Sequence, residues 1–523
     1  MAFKRLGTMI DCSRNAVMKK EAVKKWIDIT GQMGYNCLML YTEDTYEIKG
    51  QPYFGYLRGR YTQAELREMD AYAKEKGMEL IPCIQTLAHL RSIFRWPVYD
   101  DIHDCHDILL LEEEKTYQLI DDMLRTCSEC FESRTVNVGM DEAMFMGLGK
   151  YLKKHGYQNR TELLLRHVQK VAKIAEKYGQ QLIMWGDMFF YLKRQGLDVS
   201  EVKDKIPENV QLVYWDYNSR EQAHYEEMID GYREICDETW FAGGLWNWCG
   251  FTPHNRFSIQ TAKASMPACV KKNVENIFFT LWGDDGAEGS RFNMLPSLYY
   301  AAMMARGITD DREIREGFEK MFGYSFDLFM MLDLPATPEK EKDFNNPEKK
   351  MLYNDPMLGI HDTTAVEDGG KRYMEAAAML EEGKVHPAFG HLFDTQQKLC
   401  RLMALKYGFG VRLRKAYQEK DHKALIACMM ECETIKDKLE EFYTAFEKQW
   451  MLENKPHGFE IQDLRLGGVM RRMEHVKRTI SAYLTGQTDN IPELEEEILP
   501  ADTDWYTNWP DAVSANVIYH IFE

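Results

Sequence analysis

No long uncharged apolar stretch interrupts the 523 residues, so nothing in them suits a membrane span. The opening run MAFKRLGTMIDCSRNAVMKK lacks the apolar core that a signal peptide needs. Positive charge is in deficit. Lys and Arg total 65 against 83 Asp and Glu, a formal net charge of −18. Such a surface repels phosphate backbones and anionic lipid, which argues against nucleic-acid and membrane partners and favours a neutral or cationic ligand. The 12 cysteines form no zinc ribbon: Cys127-x-x-Cys130 lies in a helical pattern with no second pair at the right spacing. They read as reduced core thiols. The cluster from His103 to His106 is too tightly spaced, in a polar loop, to be more than a weak metal signal. These absences together lead to the expectation of a reducing, cytoplasmic location.

What is present is a globular balance of 45% hydrophobic and 28% charged residues. From residue 6 to about 305, short apolar runs alternate with longer amphipathic ones. Eight of the runs read as strands: 6–11, 35–42, 78–86, 135–140, 181–188, 210–217, 240–247 and 276–284. Their near-continuous hydrophobicity is that of parallel strands buried on both faces. Thr62 with Glu65 marks the start of a helix over 63–76, and Gly34, Gly77 and Gly179 stand where helices end before strands. The pattern predicts an α/β fold: a (β/α)8 TIM barrel over residues 1–330, with function at the C-terminal ends of its strands. An open doubly wound sheet is the alternative, but no G-x-G-x-x-G follows a strand.

Residues 331–370, rich in Pro, Asp, Gly and Lys, read as a linker or irregular loop, and 371–523 as an α-helical domain. Leu425, Cys428, Cys432, Ile435, Leu439, Phe442 and Phe446 make one helical stripe there; Leu399, Leu402, Leu405, Phe409 and Leu413 make another. Their outer faces are free to pack on the barrel or on a second subunit, so a homodimer is an open expectation. Trp450 is read as an aromatic in a loop between helices, within reach of a neighbouring subunit.

The strand ends carry the chemistry. The first runs into Asp11, Ser13 and Arg14, the second into Glu43, Asp44 and Glu47, and the third is followed by Gln85 and His89. The fourth ends Asn137-Val-Gly139-Met-Asp141-Glu142, with Asn137, Gly139 and Asp141 sharing one face of the strand by its period of two. Trp185-Gly-Asp187, Trp215-Asp-Tyr217, Trp246 with Trp248, and Trp282-Gly-Asp284-Asp285 follow on the rest. Tryptophans ending four separate strands cannot all be filling a barrel. Indoles with a polar edge, rimmed by Arg and carboxylates, suit the apolar C–H faces and hydroxyls of a pyranose. Two adjacent acids in such a cup are pushed apart in pKa by low dielectric and mutual repulsion, as general acid catalysis requires.

These residues resemble glycoside hydrolase family 20, the β-N-acetylhexosaminidases. The family's catalytic motif is matched by Asn137-x-Gly139-x-Asp141-Glu142, its Asp-x-x-Arg by Asp11-x-x-Arg14, and its Asn-x-Leu strand by Asn36, Leu38 and Asp44. Of its Pro-Gly-His only His89 is kept, and its last Trp-x-Glu appears as Trp282-Gly-Asp284. The resemblance spans roughly residues 6–305 and looks closer to a bacterial subgroup with a helical C-terminal domain. It implies an exo-acting, retaining enzyme that removes terminal β-GlcNAc or β-GalNAc from a small glycoside or oligosaccharide, without metal or cofactor. The sugar's own acetamido group is the nucleophile, and the intermediate is an oxazolinium ion. It implies Asp141 as the group orienting the acetamido and Glu142 as acid and then base. The family's acetamido-binding tyrosine has no match on the seventh strand, which leaves Tyr217. Arg14, Asp44, His89, Trp185, Trp215, Trp246, Trp282 and Asp284 are then expected around the sugar. The competing readings are a non-catalytic carbohydrate-binding barrel and another acetamido-sugar hydrolase family. The latter would place Asp-Asp, or Asp-x-Asp-x-Glu, where this chain has Asp141-Glu142.

Overall fold

The computed structural model describes residues 3–196, 202–336, 345–501 and 506–516. Eight parallel strands close into a barrel: β1 (Arg5–Asp11), β2 (Cys37–Tyr41), β3 (Glu79–Cys83), β4 (Thr135–Asn137), β5 (Gln181–Trp185), β6 (Val210–Trp215), β7 (Thr239–Gly244) and β8 (Asn276–Leu281). Each overlaps the apolar run that predicted it. Each pairs with its successor in the chain, and β8 closes on β1 from Arg5 opposite Asn276 to Ile10 opposite Leu281.

Met9, Met39, Ile81, Ile183, Val213, Ala242 and Phe278 pack in one buried cluster inside the barrel. The cluster has no room to spare. A Cβ on Gly7 of β1 would lie 2.4 Å from Cys37 Sγ and 3.2 Å from Phe278 Cβ, so only glycine lets the neighbouring strands fill that layer. Helices follow the strands for local reasons. In α1 (Lys20–Met33), Val23, Trp26, Ile27, Thr30 and Met33 recur at helical spacing and are buried, and the Trp26 indole N–H donates to Thr8 Oγ1 at 3.0 Å. Gly34 ends it at φ 101°. In α2 (Gln63–Glu75), Thr62 and Glu65 form the reciprocal cap expected of them, worth about 1 kcal/mol. A short helix, α3 (Asp187–Arg194), starts directly after β5.

The chain divides into two compact units. The barrel unit comprises Met1–Leu245, Ser258–Trp282 and Leu298–Asp310; the other comprises Trp246–Phe257, Gly283–Ser297 and Asp311–Glu523. Helices dominate the second: α4 (Pro347–Tyr353), α5 (Gly369–Leu380), α6 (Gly390–Lys406), α7 (Phe409–Gln418), α8 (His422–Glu453) and α9 (Phe459–Leu484). Within the stretch read as a linker, every residue of α4 is buried, Glu348 and Lys349 included; residues 337–344 of that stretch lie outside the described ones. The first predicted stripe is the buried face of α8. The second is not one helix: Gly408 takes φ 66° and separates α6 from α7, leaving Leu405 only half-buried. Trp450 is not in a loop either. It is the buried end of α8, and its indole N–H donates to the Lys455 carbonyl at 3.0 Å. All 12 cysteines are free thiols, and all but Cys105 and Cys236 are buried. Among the described residues no helix is long and apolar enough to cross a membrane.

Candidate active site

The barrel is most irregular where the sequence places its acids. β4 stops at Asn137 and meets β3 in register at one pair, Cys83 opposite Asn137. Gly139 and Met140 then both take left-handed φ, 72° and 73°, and Glu142 does so again at 50°. The strand alternation expected to carry Asn137, Gly139 and Asp141 along one face therefore breaks before Asp141. Only glycine fits at 139, because a Cβ there would lie 2.0 Å from Gln85 Oε1. Left-handed φ at two non-glycine residues costs of order 1–3 kcal/mol each and persists only where surrounding contacts hold it.

Gln85 is one such contact. Its Oε1 accepts the Met140 N–H at 3.1 Å. Its Nε2 donates to Asp141 Oδ1 at 2.7 Å and to Tyr41 Oη at 2.9 Å. The Tyr41 hydroxyl in turn donates a hydrogen bond to Glu43 Oε1 at 3.0 Å, and Glu43 pairs with Arg14. A hydrogen-bonded line thus runs Arg14–Glu43–Tyr41–Gln85–Asp141. His89, itself at φ 57°, approaches from the other side, with Nε2 at 3.3 Å from Asp141 Oδ2 and 3.6 Å from Glu142 Oε2. Asp107 Oδ2 accepts the His89 N–H at 3.0 Å and lies 3.8 Å from Nδ1.

The electrostatics separate the two acids. Burial would raise Asp141, but the His89 charge and hydrogen bond, with the Gln85 amide, hold it below the usual carboxylate value. Burial and then the Asp141 charge push Glu142 up. Burial would strip the proton from His89, yet Asp141 beside it holds the imidazolium up at about 10. The result is an inward Asp141, 8% exposed and held on the acidic side of an ordinary carboxylate, next to a Glu142 that binds its proton more tightly than an ordinary glutamate and whose side chain is 48% exposed at the rim. Asp187 adds a third carboxyl group. Its Oδ2 accepts the Glu142 N–H at 3.0 Å, and burial with the Asp141 charge raises it to about 7.

The other expected residues are distributed unevenly. Trp185 is buried at 1% exposure, its ring 6.0 Å from that of Trp282. Trp282 stands edge-on to Tyr41 at 4.8 Å. Trp215 and Tyr217, both half-buried, stack with centroids 5.2 Å apart. Asp44 is 1% exposed and bound to Arg58 at 3.0 Å; burial lifts its carboxyl to about 6. Trp246 and Asp284 belong to the second unit. There Trp246 is buried and stacks on Trp248 at 4.4 Å. Asp284 is exposed and accepts from Tyr506 Oη at 3.4 Å. Asp285 is committed to Lys349 at 2.6 Å and Arg465 at 3.1 Å. Sequence reasoning left Tyr41, Glu43, Gln85, Asp107 and Asp187 out of the site. Glu43, Gln85 and Asp187 do stand at strand ends, so that position was the available signal.

The sequence model described as the Glycosyl hydrolase family 20 catalytic domain matches residues 3–276, more than half of the chain. The chain belongs to that family. Residues 326–512 match the model described as the Glycoside Hydrolase 20C C-terminal domain. Among curated relatives, Hexosaminidase D of Bos taurus is 26% identical over 240 residues, 41% of this chain and 62% of that one. Hexosaminidase D of Homo sapiens is 24% identical over 206 residues, 38% of this chain and 42% of the relative. The family likeness to these relatives thus spans less than two thirds of their length. Of solved structures, a chitobiase from Flavobacterium johnsoniae superposes with a TM-score of 0.49 at 17% identity, covering 86% of this chain and 78% of that one.

Proposed function

We propose that this family 20 chain is an exo-acting, retaining β-N-acetylhexosaminidase that removes terminal β-GlcNAc or β-GalNAc by substrate-assisted catalysis. The observation that carries the reading is the division between the two neighbouring acids: Asp141 ionised by His89 and Gln85, Glu142 held toward its protonated form at the rim.

In the first step the acetamido carbonyl oxygen attacks the anomeric carbon as the glycosidic C–O bond breaks. Glu142 gives its proton to the leaving oxygen. Asp141 takes the acetamido N–H and faces the positive charge that grows on the oxazolinium ring, an interaction stronger in the transition state than before it. In the second step Glu142, now a carboxylate, takes a proton from the water that attacks the anomeric carbon and reopens the ring. The net stereochemistry is retention. The intramolecular nucleophile saves the entropy of recruiting a second reactant. Tyr217 is the hydroxyl assigned to the acetamido oxygen. Trp185, Trp215 and Trp282 wall the sugar, and Arg14, steadied by Glu43, binds its hydroxyls. Asp44 is the least available of the expected ligands, because Arg58 already occupies it.

The test is hydrolysis of p-nitrophenyl β-GlcNAc and β-GalNAc, with a thiazoline mimic of the oxazoline as inhibitor. Turnover blocked by the thiazoline is expected. No turnover of either glycoside, or turnover indifferent to the thiazoline, would refute the reading.

A further inference from the structure

Glu142 is a long, flexible acid on a backbone position that ordinary residues avoid, so something must hold it there. Both of its peptide groups are held. Its carbonyl accepts the Met144 N–H at 2.7 Å, and its N–H is taken by Asp187 Oδ2 at 3.0 Å. The segment just beyond is clamped by Arg160, whose guanidinium donates to the carbonyls of Met144 and Met146. Asp187 is well placed to act as a fixed post. It is the first residue of α3, next to Gly186, where a Cβ would lie 2.4 Å from Tyr232 Cε1. That close approach seats the start of the helix against Tyr232. The rest of the Asp187 carboxyl group is buried, and beyond the Glu142 N–H its hydrogen-bonding company is the Trp215 side chain. A buried carboxyl group that spends an oxygen on a neighbouring backbone N–H is costly unless it serves the neighbouring chemistry.

We infer that Asp187 is a positioning residue for the general acid: by accepting the Glu142 N–H it holds that residue's left-handed backbone and aims its carboxyl group at the leaving oxygen. This rests on the hexosaminidase reading above and assigns no contact between Asp187 and the sugar. An acceptor, not a charge, is what the role demands. Asparagine at 187 can supply a carbonyl oxygen to the same N–H, whereas alanine and the near-isosteric leucine cannot.

The experiment compares Asp187→Asn, Asp187→Ala and Asp187→Leu on two β-GlcNAc substrates. One carries a dinitrophenolate leaving group, which departs without a proton. The other carries an alkyl alcohol, which does not. Loss of aim should be felt where protonation is needed. For Ala and Leu, kcat/KM is expected to fall about 100-fold or more on the alkyl glycoside, against under about 10-fold on the dinitrophenyl one. Asn should recover at least about tenfold of the alkyl-glycoside loss, since it restores the acceptor. Equal losses on the two substrates, or an Asn variant no better than Leu, would overturn the inference and leave the functional reading intact. A wild-type protein inactive on both substrates would bring down that reading itself. If the Ala variant fails to fold, the Leu variant, which keeps the volume, carries the comparison.

Discussion

Two carboxylate clusters sit in this molecule, one in each unit, and they are built on opposite rules. In the second unit, Asp285 and Glu288 face Lys349 and Arg465 in pairs of 2.6 to 3.1 Å. Lys349 and the Glu288 side chain are fully buried. Glu348 is close by in sequence and buried, and burial raises it to about 8, so at neutral pH it counts as uncharged. Two charges of each sign then cancel. In the barrel, Glu43, Asp44, Asp107, Asp141, Glu142 and Asp187 gather around Arg14, Arg58 and His89, and acids outnumber bases. The balanced cluster uses charge to join segments. The unbalanced one leaves carboxyl groups with unequal affinity for protons, which is what acid–base chemistry needs.

That contrast can be broken from either side. Glu142→Gln should lower kcat/KM on a leaving group that needs protonation by about 10² to 10⁴-fold while the melting temperature hardly moves; a large thermal shift would mean that the barrel cluster is structural after all. Lys349→Met should do the reverse. It leaves Asp285 and Glu288 with Arg465 alone, one cation for two buried acids, and the unfolding free energy should drop by about 3–5 kcal/mol in denaturant titrations. A neutral result would show that the second cluster is not what joins its segments. Glu348→Gln probes the proton count. The folded protein holds that proton between the ordinary carboxylate value of 4.5 and about 8 while the unfolded chain has lost it. Wild-type stability should therefore fall as pH rises through that window, and the variant should fall less steeply. The smallest effect is expected of His89→Gln in the pH–rate profile. Without the imidazolium both Asp141 and Glu142 bind protons more tightly, so the acid limb and the basic limb both move to higher pH. Movement of either limb to lower pH would contradict the arrangement of charges described for the site.

The barrel was readable in the sequence because each parallel strand, buried on both faces, leaves an apolar run that a neighbouring helix cannot imitate over so short a length. The acids were readable because Asp141 and Glu142 sit together at the end of one such run. Gln85 was not, although it stands at a strand end. Its meaning lies in Met140, Asp141 and Tyr41, which are separated from it by dozens of residues and meet it only after the barrel closes. Asp187 shares that fate: beside Trp185 it looks like one more polar strand end, and nothing local shows that it reaches the Glu142 N–H. The helical region shows the converse error. A stripe through Leu405 and Phe409 keeps its spacing across Gly408, so periodicity alone runs two helices into one.

Gln85 also determines how the site would look to a spectroscopist. Its carboxamide cannot be turned over, since Nε2 must face Asp141 and Tyr41 while Oε1 faces Met140 N–H. Both amide hydrogens are therefore shielded from solvent, and in deuterated water they should survive long after those of surface glutamines have exchanged. A pair of slowly fading side-chain resonances would then report, without any substrate, on the backbone bend from which the two acids project.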